Sequence, residues 1–327
     1  MASKDLEQRQ VEQIFLSTFR DVRSYAVSDV LNGTTGDEDL AEFPLYLVGL
    51  RPRVQIVGET EQDGKPSLKL RSGAGSELEI RFDKVDFDSL EVFGNGGYFR
   101  AMKDGEAVFQ GHVSSLLALR QIPVPLDSVE SRTDDDTGID EDFLDLRVVY
   151  VGKSEDIGGA INNRLPAHST LQRILANVHD FHPDFEIVIV LFRPELFTTL
   201  TAILPTEGNV STNAIQVAGA MQPSLDRGTT IAVAEASMIR LFEPKYNVHY
   251  KTTFPSQSHT SYTGVLPFGY NSLGVLLETQ HTLGFRLYSE AVKPSFMFFK
   301  AWSVDPKRRA FSSVDDLMEM LPERESS

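Results

Sequence analysis

Between Phe43 and Gly111 apolar side chains come in short runs or alternate with polar ones: YLVGL, VQIVG, SLKLR, ELEIRF, LEVF, GYFRAM and AVFQG. A period of two marks strands with one face buried. Turn signals separate the runs, among them Gln62-Asp63-Gly64 and Lys103-Asp104-Gly105-Glu106, so the pattern predicts antiparallel hairpins. The preceding stretch reads differently. Leu6, Val11, Ile14, Phe15, Phe19 and Val22 recur at helical spacing and Asn32-Gly33 offers a stop, which predicts a helix over 4–30.

A short apolar segment over 113–119 and the prolines Pro123 and Pro125 close this part of the chain. Further on, LRVVYVG predicts a strand and 171–178 a helix, introduced by a Ser169-x-x-Gln172 capping box. FEIVIVLF predicts a buried strand. The stretch 193–230 is too long for a plain connection, so an insertion with its own helix near 213–221 is expected. Helix returns over 231–242 and ends before Pro244, because the residue ahead of a proline is pushed out of helical geometry. Beyond Pro255, LGVLLET, GFRLYSE and SFMFFKAWSV predict strands, and 312–321 a last helix. The expected division is an N-terminal helix plus β domain (1–125), a linker (126–142), an α+β domain (143–262) and a C-terminal β extension (263–327).

Composition narrows the chemistry. The chain has 327 residues, 41% of them hydrophobic, which is enough for more than one core. No apolar run reaches the roughly 18 residues of a membrane span, and the first 32 residues lack the apolar core of a secretion signal, so a cytoplasmic protein is expected. Cysteine is absent, which excludes disulfides and thiolate-held zinc and leaves oxygen and histidine ligands for any metal. That favours a hard ion such as magnesium. The net charge of −16 argues against broad adhesion to nucleic acid. Half of the excess lies in one segment: over 127–145 nine acidic side chains face Arg132 alone. Such a run serves as a solvated linker or as a phosphate mimic lying in a basic groove.

VVYVGKS, over 148–154, ends like a phosphate-binding loop, but the first glycine of that loop would stand at position 147, which is Arg. Glu235 is more informative. It lies three, four and seven residues from Met238, Ile239 and Phe242, on the apolar face of its helix, where a carboxylate needs a cation, a metal or a donor. His179 and His182 are spaced to chelate, yet no third ligand is placed by the sequence, so they are expected to be helix-end surface residues favoured by the dipole.

Four elements succeed one another: Tyr150-Val151-Gly152-Lys153, Arg164-Leu165 with His168, Ala234-Glu235-Ala236, and Pro244-Lys245-Tyr246-Asn247. Over about 143–251 this order resembles the GIY-YIG nuclease family. The resemblance implies a mixed sheet with helices and hydrolysis of a phosphodiester by water with one divalent metal, Mg2+ or Mn2+. Glu235 would hold the metal, Arg164 would donate to the scissile phosphate, and Tyr150 would orient or activate the water. Asn247 would brace the site or reach the nucleic acid. Lys153, His168 and Lys245 would contact phosphates. The tyrosine that the family carries on an upstream GIY strand has no evident counterpart; Gly138-Ile139-Asp140 has the spacing, and Gly97-Tyr98-Phe99 has the tyrosine.

The expectation is therefore a metal-dependent endonuclease, with DNA the favoured substrate and a guessed role in restriction or defence. From Arg147 to Phe254 there are nine bases and ten acids, so affinity would depend on a local patch or on a protein partner reached through the N-terminal domain or the acidic linker. The rival expectation is an inactive binding module or subunit on the same fold. Ordinary structural roles also remain open for Tyr150, His168, Asn247 and Arg164.

Overall fold

The computed structural model describes residues 10–33, 35, 40–62, 65–81, 88–94, 96–113, 141–153, 168–195, 199–204, 226–256, 259, 265, 270, 272–280 and 282–304. Its opening elements correct the N-terminal expectation. Strands β1 (Gln10–Ser17) and β2 (Phe19–Ala26) stand where a helix was predicted, and helix begins only at α1 (Val27–Asn32). The reason lies in burial. Phe15, Leu16 and Ser17 are all buried in succession, which an interior strand covered on both faces allows and an amphipathic helix does not. Tertiary pairing overrides the local spacing.

The hairpin region forms as expected: β3 (Leu45–Pro52), β4 (Val54–Gln62), β5 (Lys65–Ser72), β6 (Glu77–Arg81), β7 (Ser89–Phe93), β8 (Tyr98–Lys103) and β9 (Glu106–His112). Asp104 and Gly105 both have positive φ, the backbone a tight two-residue hairpin requires, so the β8–β9 turn signal is realised. A single turn, α2 (Glu141–Leu144), leads into β10 (Asp145–Lys153). Then come α3 (Ser169–Phe181), β11 (Phe185–Pro194), β12 (Thr199–Leu204) and α4 (Arg227–Phe242). The chain continues with β13 (Ser272–Glu278), β14 (Arg286–Tyr288) and β15 (Met297–Ser303).

Both long helices are placed correctly by the sequence, but the capping box is not formed. The N-cap of α3 is His168, without a side-chain cap bond, and Ser169 already belongs to the helix. The cap that does form is Asp226, whose carboxylate accepts from Thr229 N (2.9 Å) and Oγ1 (2.6 Å) at the start of α4. At the other end Glu243 adopts left-handed geometry immediately before Pro244, as the stop signal required. The acidic run over 127–140 and the helices expected near 213–221 and 312–321 lie outside the described residues.

The protein is α+β. A five-stranded sheet runs in the order β14-β10-β3-β11-β2, all neighbours antiparallel except β14 and β10. A four-stranded sheet has the order β12-β1-β13-β15, and two three-stranded meanders keep chain order, β4-β5-β6 and β7-β8-β9. Strands from the expected N-terminal, central and C-terminal parts thus share sheets, and the boundaries expected at 125, 142 and 262 do not coincide with breaks between them.

The five-stranded sheet is buried on both faces. Tyr46, Val48, Leu50, Ile187, Ile189 and Leu191 face Leu171, Ile174 and Val178 of α3. Leu45, Leu47, Val148, Val188, Val190 and Phe192 face Ile231, Ala234, Met238 and Phe242 of α4. One charge pair lies on the α4 face: Arg51, wholly buried and stacked on Phe285, donates Nε to the partly buried Glu186 Oε1 (2.5 Å). Among the described residues no helix is long and apolar enough to cross a membrane.

Candidate active site

Strand β10 carries the site, and an irregularity in it decides which side chains meet. Val148 pairs with Gly49 and Tyr150 with Val48, so Val149 is an extra residue in the ladder. A bulge of this kind re-aims the side chains beyond it. Without it Tyr150 would face α4; with it Tyr150 joins Tyr46 on the α3 face, ring centroids 6.0 Å apart. His168, at the mouth of α3, completes the group at 5.6 Å from Tyr150 and 6.4 Å from Tyr46.

Gly152 is the reason the two phenols can lie so close. It pairs directly with Tyr46, and a Cβ there would stand 2.6 Å from the Tyr46 hydroxyl oxygen and 2.8 Å from the Tyr150 ring. Only a residue without a side chain leaves that space.

Past Arg147 the outer edge of β10 has no strand partner among the described residues, because β14 pairs only with Asp145 to Arg147. The segment after α4 supplies one. Tyr246 N donates to Val149 O (3.0 Å), Asn247 Oδ1 accepts from Val151 N (2.9 Å), and Asn247 Nδ2 donates to Val151 O (2.8 Å). The Asn247 amide thus does the work of a neighbouring peptide and braces the YVG strand. Tyr246 is held in turn by Asn177, whose Nδ2 donates to its hydroxyl (2.7 Å), and its ring is flanked by Arg173 (5.2 Å) and Lys245 (5.7 Å).

Glu235 and Lys153 lie on the other side. Lys153 pairs with Leu45, a residue of the α4 face, and its Nζ stands 3.8 Å from Glu235 Oε2. The nearly buried carboxylate on an apolar helix has the cation the sequence required. Tyr150 and Glu235 therefore flank the C-terminal end of β10 from opposite faces and do not share one face. A lone carboxylate is a hard oxygen donor of the kind magnesium takes when phosphate and water fill its remaining positions. Among the described residues no three His, Asp or Glu side chains cluster as a ready-made metal cage, and His179 and His182 sit exposed at the end of α3.

Arg164 lies outside the described residues. Gly138-Ile139-Asp140 is outside the described residues, and Tyr98 sits in β8, its hydroxyl bonded to Ser28 (2.9 Å) and Asp29 (2.8 Å), away from Tyr150. The tyrosine that does meet Tyr150 is Tyr46, about a hundred residues earlier in the chain. Only its place in an alternating run, YLVGL, marks it beforehand; nothing local relates it to Tyr150.

Comparison with protein-family models, with curated proteins and with solved structures finds no match for this chain.

Proposed function

We propose that the chain is a metal-dependent phosphodiester hydrolase of the GIY-YIG type, an endonuclease acting on nucleic acid with DNA favoured. The observation that carries this reading is the contact of the Tyr46 and Tyr150 rings, centroids 6.0 Å apart, on adjacent antiparallel strands; in this reading Tyr46 would take the role of the family's upstream tyrosine. The third strand, β11, lies on the far side of β3, and the helix bearing Glu235 comes after it in the chain.

In this reading Tyr46 and Tyr150 hold the attacking water and take its proton, with His168 beside them. Lys153 donates to a phosphate oxygen, Arg164 to the scissile phosphate, and Lys245 to the backbone further along. Mg2+ or Mn2+ at Glu235 would add charge stabilisation on the phosphoryl oxygens. Asn247 holds the strand that carries the tyrosine. A role in restriction or defence extends the proposal.

A second reading has its own support. Glu235 is engaged by Lys153 and lies across the sheet from Tyr150, an arrangement suited to a binding subunit that keeps the fold without turnover. One experiment separates the two. The purified chain is incubated with plasmid, linear duplex and single-stranded DNA in Mg2+ or Mn2+, beside Glu235→Ala and Tyr46→Phe. Cleavage that requires metal and disappears in both variants is expected; intact substrates throughout would leave the binding subunit as the better account.

A further inference from the structure

A cavity of about 550 Å³ lies at the opposite end of α3 from His168, where Leu175, Val178 and His179 form one wall. It exists because the sheet loses a strand there. β2 pairs with β11 only as far as Ala26 opposite Val188, then turns into α1, so residues 185–187 have no outer neighbour among the described strands of the sheet. The ends of β8 and β9 come over the gap and bring Tyr98 and His112 to it. Its volume is in the range of small-molecule sites and far above that of single waters.

The lining has two chemistries. The floor is polar but carries little net charge. Glu186 is balanced by buried Arg51, and Glu186 Oε2 stands 3.7 Å from His112 Nε2, where burial holds the imidazole below its ordinary pKa and so neutral at pH 7. Tyr98 is fixed by Ser28 and Asp29, and its ring meets His112 edge to face at 5.0 Å. Phe185 and Gln55 add an aromatic wall and an amide. The mouth is different. Arg53 and His179 are exposed there, and Arg53 Nη2 reaches Phe185 O only by a long contact of 3.4 Å.

We propose that this cavity binds a mononucleotide-type ligand, its uncharged heteroaromatic head against Tyr98, His112 and Phe185 and its anionic tail at Arg53 and His179. Three rings in the lining, Tyr98, His112 and Phe185, give a planar head aromatic surface, Glu186, Gln55 and Ser28 offer its edge polar partners, and a guanidinium at the mouth suits a phosphate. The site is distinct from the candidate active site and does not depend on the nuclease reading.

Isothermal titration of the full chain with AMP, GMP, CMP and UMP, the four nucleosides and inorganic phosphate tests it. At least one mononucleotide should bind one to one, its nucleoside roughly tenfold or more weakly for want of the charged contact, and phosphate alone not measurably. Ser28→Trp, an exposed position on the cavity wall, should abolish binding while lowering the melting temperature by no more than loss of the exposed Ser28–Tyr98 hydrogen bond accounts for, Arg53→Gln should erase the preference for nucleotide over nucleoside, and Lys153→Ala should bind as wild type. The proposal is overturned if no mononucleotide binds at millimolar concentration, if phosphate binds as well as the nucleotide, or if binding survives Ser28→Trp and disappears in Lys153→Ala.

Discussion

Replacing Asn247 by Ala removes the two hydrogen bonds, of 2.9 and 2.8 Å, that close the outer edge of β10 at Val151. Val151 is completely buried, so its N–H and C=O lose their partners in a place where water reaches them poorly. An unsatisfied buried backbone group costs about 1–3 kcal/mol, and with partial hydration at a sheet edge the pair should cost about 2–4 kcal/mol together. Urea unfolding measures the loss, and hydrogen exchange at the Val151 amide should show reduced protection in step with it. Asn247→Asp sharpens the test. It keeps the acceptor for Val151 N–H but sets a carboxylate oxygen against Val151 O in place of a 2.8 Å hydrogen bond, so at pH 7 it should be no better than Ala. That repulsion raises the carboxyl pKa in the folded state above its unfolded value of about 3.9, so the Asp variant should regain stability as pH falls and lose it as pH rises. A change under about 0.5 kcal/mol for Ala, or full stability for Asp at pH 7, would refute the brace. If Asn247 instead contacts nucleic acid, affinity should fall while stability stays.

Gly152→Ala forces a Cβ to within 2.6 Å of Tyr46 and 2.8 Å of Tyr150, so both rings must shift. Overpacking of this kind should cost about 1–3 kcal/mol in urea unfolding and change the near-UV dichroism of the tyrosines. His112 predicts a pH dependence. Burial holds it below its ordinary 6.5, more strongly than Glu186 raises it. The unfolded chain then binds the proton more readily, so the stability contribution is full above about pH 6.5 and is lost as pH falls from there through the folded-state value. Melting temperatures from about pH 7.5 to 5 should fall more steeply for wild type than for His112→Gln, and equal slopes would overturn the assignment.

Local pattern was enough for much of this chain. The strands from 45 to 112, YVG strand β10, buried strand β11 and helix α4 with its Pro244 stop were all legible, because alternation, apolar runs and proline act within a few residues of themselves. The same holds for Glu235: a carboxylate three and four residues from apolar neighbours on a helix had to meet a cation, and Lys153 is there. Three things were decided only by tertiary structure. The N-terminal stretch became strands because β11, β12 and β13 offered it partners, a gain that spacing in a single segment cannot register. Tyr46 met Tyr150 because β3 pairs with β10 across the intervening hairpins, and a one-residue bulge at Val149 turned the second ring toward the first. Glu235 and Tyr150 parted to opposite faces for the same reason, since in a strand each single residue of register reverses the face, and register is a property of the pairing rather than of either strand's own sequence.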